Sequence, residues 1–100
     1  MKIYLAGKIA GDRKYREKFR EAAKALEAEG HVVLNPATLP DGLTDEDYMQ
    51  IGMAMLNAAE LAVFLPDYRE SWGAMVEWAW CQRTGKDCAL FLDMTGGRRQ

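Results

Sequence analysis

The sequence predicts a three-layer α/β fold around a parallel sheet, and two observations carry that expectation. Short apolar runs alternate with longer amphipathic ones in the order strand, helix, strand, helix, strand, helix, strand, the pattern of a parallel sheet covered on both faces. In addition, two short segments, Gly7-Lys8-Ile9-Ala10-Gly11 and Ser71-Trp72-Gly73-Ala74, each follow a strand-like run and open a helix-like one. Right-handed crossovers leave few topologies for such a chain. A Rossmann/flavodoxin-like sheet of four or five strands in the order 2-1-3-4 would set strands one and three side by side at the reversal. Both segments would then face one crevice at the carboxyl ends of the strands.

Residues 2 to 6 read as a buried strand. Asp12 is placed to cap a helix over residues 13 to 29, whose core face is Tyr15, Phe19, Ala22, Ala23 and Leu26, spaced by three and four. Gly30 ends it, residues 31 to 34 form the second strand, and Asn35-Pro36 stops that strand because proline cannot continue a ladder. A loop with Pro40, Asp41 and Gly42 follows. Thr44 with Asp47 three residues on resembles a capping box for a second helix from Asp45 to about Ala58. The third strand covers about Glu60 to Leu65, the third helix Trp72 to about Thr84 with Gly85 as its stop, and the fourth strand Asp87 to Leu92. The expected domain is residues 1–93, with a frayed tail over 94–100.

At 100 residues the chain has single-domain length, and its 49% hydrophobic content suffices for a core. A formal charge of -2 and a pI near 5.4 argue against polymeric nucleic acid as partner, since backbone binding needs clustered positive charge; Arg98-Arg99 is the one notable basic cluster. No apolar run approaches the roughly 20 residues that span a bilayer, and the start of the chain leads into a strand without a cleavage pattern, so the expected compartment is the cytoplasm. Cys81, Cys88 and the single histidine, His31, lack the spacing of a metal site. No metal or organic cofactor is expected.

Trp72, Met75, Val76, Trp78, Ala79, Trp80 and Cys81 are spread around the whole third helix. With the methionine-rich second helix, this predicts a homodimer interface, although tryptophans filling a small core would leave the same pattern. Glu77 stands among those apolar neighbours near the start of its helix. A partly desolvated carboxylate there is a functional-site candidate. Ser71 fits an N-cap, and its hydroxyl with the N–H groups of Gly73 and Ala74 also fits an anion site. Gly7 to Gly11 is neither a P-loop nor a dinucleotide fingerprint. Tyr4 lies near the end of the first strand, and Asp67 follows Pro66 in the loop after the third, where an ordinary turn would explain it. Serine-histidine-acid catalysis does not suit a lone histidine at the start of a strand.

Taken in order, Lys2 to Gly11, Asn35-Pro36, Tyr48-Met49 and Ser71-Trp72-Gly73-Ala74 followed by Glu77 resemble the nucleoside 2-deoxyribosyltransferase-like superfamily. The resemblance runs from residue 2 to about residue 92. It is nearest to a small domain-of-unknown-function branch with a Ser-x-Gly-Ala-x-x-Glu stretch, and more distant to the 2'-deoxynucleoside 5'-phosphate N-hydrolases. It implies that Glu77 attacks the anomeric carbon and forms a glycosyl-enzyme, by the logic of a retaining glycosidase. Tyr4 and Asp67 would assist. Gly7, Lys8, Ile9 and Gly11 would hold sugar or phosphate, Ser71 would touch a 5'-phosphate, and Asn35, Gly73 and Ala74 would complete the substrate site. The resemblance also implies paired subunits. This chain departs from the hydrolases at two positions: their acid before the third strand falls on Gly52, eight residues ahead of Glu60, and their phosphate-binding arginine falls on Ala10. A catalytically silent nucleotide-binding module is the alternative reading.

Overall fold

A computed structural model describes residues 1–95 of the chain. Its four strands, β1 (Lys2–Ala6), β2 (Val32–Leu34), β3 (Leu61–Phe64) and β4 (Cys88–Leu90), form one parallel sheet in the order β2-β1-β3-β4. The chain therefore reverses direction of winding between β1 and β3, and the expected 2-1-3-4 order is the observed one. The registers Ile3 to Leu61 and Ala6 to Phe64 bring the carboxyl ends of these two strands level. Whatever follows Ala6 and Leu65 is thereby placed side by side.

The central strands are buried on both faces, and alternate residues serve different helices. Ile3, Leu5, Val63 and Leu65 pack on one side against Phe19, Ala22, Ala23 and Leu26 of α1 (Tyr15–Glu27). Tyr4, Ala6, Ala62 and Phe64 point the other way, toward Leu56 of α2 (Asp45–Ala58) and Ala74 and Cys81 of α3 (Trp72–Thr84). Three layers result from period-2 alternation in the strands meeting helical stripes. No helix among the described residues is long and apolar enough to cross a membrane.

The structure corrects several boundaries. The first helix starts at Tyr15, because Asp12 is used in a turn: its Oδ1 accepts the Lys14 N–H at 2.9 Å and its carbonyl accepts from Tyr15. That helix ends at Glu27, and Gly30, with φ +93°, turns the chain into β2, which begins at Val32. Pro36–Thr38 is a 3-10 turn within the expected loop, capped by the Asn35 side chain. Thr44 and Asp47 do form a reciprocal capping box on α2. The fourth strand stops at Leu90, two residues short of expectation, where Phe91–Met94 coils into a short helix, α4, with Phe91 and Met94 packed on the α1 side of the core. Met94, assigned to the tail, thus belongs to the domain; the Arg98-Arg99 cluster lies outside the described residues.

One glycine is required by the close approach at the switch point. A Cβ on Gly7 would lie 2.9 Å from Leu65 Cδ1 and 3.2 Å from Asp67 Oδ1, closer than side chains tolerate. Any larger residue must displace the buried Leu65 side chain or push the β1 loop away from β3. Gly7→Ala is expected to lower stability by about 1–3 kcal/mol through overpacking, which a denaturant titration against the native chain measures; an unchanged midpoint would show that the two loops move apart freely.

Candidate functional site

Glu77 is six residues into α3, on the face that packs against β1, so its side chain is carried under the sheet's crevice instead of into solvent. It is 6% exposed. The Tyr4 hydroxyl, projecting from β1, donates to Glu77 Oε2 at 2.5 Å. No hydrogen bond reaches Glu77 Oε1 among the described residues. Burial pushes the Glu77 carboxyl up to about 7, and the Tyr4 hydrogen bond only partly opposes that. Burial first, and then the Glu77 charge, hold the Tyr4 hydroxyl well above the usual phenol range. A carboxyl and a phenol share one short hydrogen bond in a nearly dry place. Near neutral pH the carboxyl is poised between its two forms, the property a general acid/base requires, and its ionised fraction is the one able to act as a nucleophile.

The pair closes the floor of a cleft of about 350 Å³ at the carboxyl ends of β1 and β3. One wall comes from the β1 loop, with Gly7, Ile9 and Ala10, and a second from the start of α3, with Ser71, Gly73 and Ala74. The rim adds Tyr15 from α1 and Asp45, Tyr48 and Met49 from α2, together with Glu70 and Trp72. Ser71 caps α3, its Oγ accepting the Ala74 N–H at 3.1 Å. Tyr48 is pinned by donating to the Pro40 carbonyl at 2.7 Å.

Of the residues expected at a site, Tyr4, Gly7, Ile9, Ser71, Gly73, Ala74 and Glu77 line this cleft. Four others stand elsewhere. Asp67 faces away, toward α1: its Oδ1 accepts the Lys8 backbone N–H at 3.0 Å and its Oδ2 pairs with Lys18, whose ammonium also reaches Asp12 Oδ2 at 2.6 Å and the Lys8 carbonyl at 2.8 Å. That network ties the β1 loop to α1 and the β3 loop, so Asp67 acts as a brace. The Lys8 N–H, counted as part of an anion cradle, is consumed by it, and the Lys8 side chain reaches Glu70 Oε1 at 3.4 Å. Gly11 serves the turn before α1, at φ +82°. Asn35 spends its side chain on the N–H of Ala37.

Sequence reasoning missed Asp45, Glu70, Tyr15 and Tyr48 as cleft residues, although Tyr48 stood within the motif that carried the resemblance. An aspartate in the first turn of a helix and a core-stripe tyrosine read as ordinary structure until the crevice is assembled. Trp78 was expected at an interface; it is half-buried instead, packed edge-on to Phe64 with ring centroids 5.1 Å apart and against Tyr68 at 5.2 Å. The Cys81 thiol beneath the site is pushed up to about 11, by burial first and Cys88 next, and stays neutral. Among the described residues no group of three or more His, Cys, Asp or Glu side chains could hold a metal ion.

These features define an open parallel α/β class of protein with a buried carboxyl beneath the crevice at its switch point. Within that class the chain belongs to the family described as a domain of unknown function, DUF4406, whose model matches residues 1–89. No curated protein matches the chain.

Because the Glu77 pKa is raised from its unfolded value near 4.5 to about 7, the folded state binds more protons than the unfolded state between those limits. Stability is then full below about pH 4.5 and falls as pH rises through 7. The loss is about 3 kcal/mol, from 1.36 kcal/mol per unit over that span. Denaturant titrations at pH 5 and 8 should show this decline in the native chain and a flatter profile in Glu77→Gln; parallel profiles would mean that Glu77 ionises as freely folded as unfolded.

Proposed function

We propose that the cleft binds a nucleoside or nucleoside 5'-monophosphate and that Glu77 cleaves or transfers its N-glycosidic bond through a glycosyl-enzyme. The observation that carries this reading is the Tyr4–Glu77 pair on the cleft floor, a nearly dry carboxyl with one oxygen free of hydrogen bonds and a pKa of about 7. The step needs an unprotonated carboxylate oxygen to approach C1' from the floor while the base departs toward the rim. Tyr4 would hold the other oxygen and so orient the attack. Gly7, Ile9 and the start of α3, with Ser71, Gly73 and Ala74, would seat the sugar, and the N-terminus of α3 favours electronegative groups there. Water or a second base would then release the sugar. The reaction as proposed draws on no metal or organic cofactor, and its setting would be the cytoplasm.

A second reading, a silent nucleotide-binding module, rests on Gly52. The position lies directly at the pair: a Cβ there would sit 3.0 Å from Glu77 Oε2 and 3.2 Å from the Tyr4 hydroxyl. A side chain at that position would crowd the pair, and glycine supplies no acid beside it.

Incubation of the chain with nucleosides and their 5'-monophosphates, read by chromatography of free base, separates the two. Glu77→Ala should reduce base release by at least about a hundredfold, the scale for loss of a nucleophile. A variant keeping more than a few per cent of native turnover would remove Glu77 from the chemistry. No release from the native chain, with affinity unchanged in Glu77→Gln, would favour the binding module.

Pairing of subunits belongs to the same reading. Trp72 is 79% exposed, Met75 43% and Trp80 40%, all on the outer side of α3. A second copy laid on this side would cover them, with aromatic residues and Met concentrated as interfaces have them. Trp80→Glu should shift the mass measured by light scattering from dimer toward monomer, since an unpaired charge buried at an interface is costly; equal masses for variant and native chain at low concentration would sink this interface.

A further inference from the structure

Two features of the cleft remain unexplained by a neutral nucleoside. The first is its charge. Glu77 on the floor and Asp45 and Glu70 on the rim all present carboxyl groups, and no Lys, Arg or His side chain lines the cleft among the described residues. Three aromatic side chains, Tyr15, Tyr48 and Trp72, stand with them. Carboxylates beside aromatic faces are the arrangement that recognises positive charge; Glu70 and the Tyr15 ring already have Lys8 and Arg16 as cationic neighbours, which leaves Glu77, Asp45, Tyr48 and Trp72 to meet a ligand. The free Oε1 of the nearly buried Glu77 is the acceptor at its centre.

The second is the lack of an acid beside Glu77 to protonate a leaving base. A neutral nucleobase departs as an anion unless protonated, and Gly52 contributes no acid beside Glu77. The Tyr4 hydroxyl is committed to Glu77 Oε2, and burial raises its pKa well above the phenol range, which makes it a poor acid. Glu70 is exposed and reaches Lys8 at 3.4 Å, while Asp45 is exposed in the first turn of α2, where negative charge is favoured. Asp45 is thereby placed to attract a cation, while Glu70 shares its charge with Lys8.

One class of substrate answers both features. We propose that the cleft takes N-glycosides whose base is already cationic through quaternisation at the glycosidic nitrogen's ring, such as pyridinium nucleosides. This rests on the glycosyl-transfer reading above. The step balances without an acid: a Glu77 carboxylate oxygen forms a bond to C1' as the C1'–N bond breaks, and its electron pair passes to the ring nitrogen, which leaves as a neutral base. Water then cleaves the sugar ester, returning the carboxylate, and one proton goes to solvent. The positive ligand also favours the ionised form of Glu77 that the attack needs. The other groups facing that carboxyl are Tyr4 from β1 and Cys81 from α3, with Gly52 of α2 contributing no charge.

The test uses the full chain and Glu77→Gln with three probes, each in ribo and 2'-deoxyribo form: nicotinamide riboside, which carries a fixed positive charge; its neutral 1,4-dihydro form of nearly the same shape; and inosine, whose base needs a proton to leave. Free base is read by chromatography and binding by calorimetry. The expected result is nicotinamide release at least tenfold faster than hypoxanthine release and absent in Glu77→Gln, with the cation bound at least tenfold more tightly than its dihydro form. Equal or faster turnover of inosine, equal binding of the neutral form, or no binding of any probe would overturn the proposal. Selective binding of the cation without base release would support the charge selection and overturn the glycosidic chemistry instead.

Discussion

The hydrogen bond between Tyr4 and Glu77 is the contact on which the rest of the site depends. It joins β1 to the helix that follows the switch point, and among the described residues it is the one polar link between those elements inside an otherwise apolar layer of Ala6, Leu56, Phe64 and Ala74. A carboxyl placed there is destabilising by burial, and the hydroxyl compensates only in part, as the raised pKa of about 7 records. Packing of α3 on the sheet must therefore carry that cost. Trp78 against Phe64 and Tyr68, and Cys81 nearly inaccessible beneath, are the contacts that do so.

A second constraint is steric. The β1 and β3 loops can converge only because Gly7 has no side chain to meet Leu65, and they are held converged by Asp67, which accepts a backbone N–H from one loop and pairs with Lys18 of α1. Lys18 is anchored at the same time to Asp12, so one ammonium ion stitches three segments. Such an arrangement of partly buried charges serves geometry more than net stability. It keeps the wall of the cleft rigid on the side away from the chemistry, where a brace can be charged without disturbing the floor.

Much of this was legible in the sequence, for identifiable reasons. Strand order followed from alternation and crossover handedness, and the α2 start from a local capping signal that needs only four residues. Glu77 stood out because apolar neighbours surround it in the chain, and burial is decided largely by such neighbours. Asp67, Lys8 and Asn35 were misplaced because loop side chains choose partners by tertiary geometry: Asp67 turns toward Lys18, 49 residues away in sequence, and nothing local announces that choice. Trp78 and Trp80 are two residues apart on one helix yet face a core and the outside, a division that periodicity alone could not assign when every face of α3 is apolar.

The placement of Glu77 along its own helix bears on what the cleft can accept. The favourable field of a helix N-terminus fades within the first turn, and Glu77 is the sixth residue of α3, about 7.5 Å along its axis from Trp72 at 1.5 Å per residue. The helix therefore offers its positive end to whatever occupies the upper cleft, near Ser71 and Gly73, and little to the carboxylate itself. No cationic side chain lines the cleft among the described residues, and the Tyr4 hydroxyl serves only Oε2. Burial is what raises the Glu77 carboxyl to about 7, and no cationic neighbour offsets it. On the glycosyl-transfer reading proposed above, compensation would arrive with the ligand, either as a fixed positive charge or as one that develops at the anomeric carbon during bond cleavage. In both cases the burial and shortage of counter-charge that make the Glu77 carboxylate costly would favour an electron-poor centre beside it.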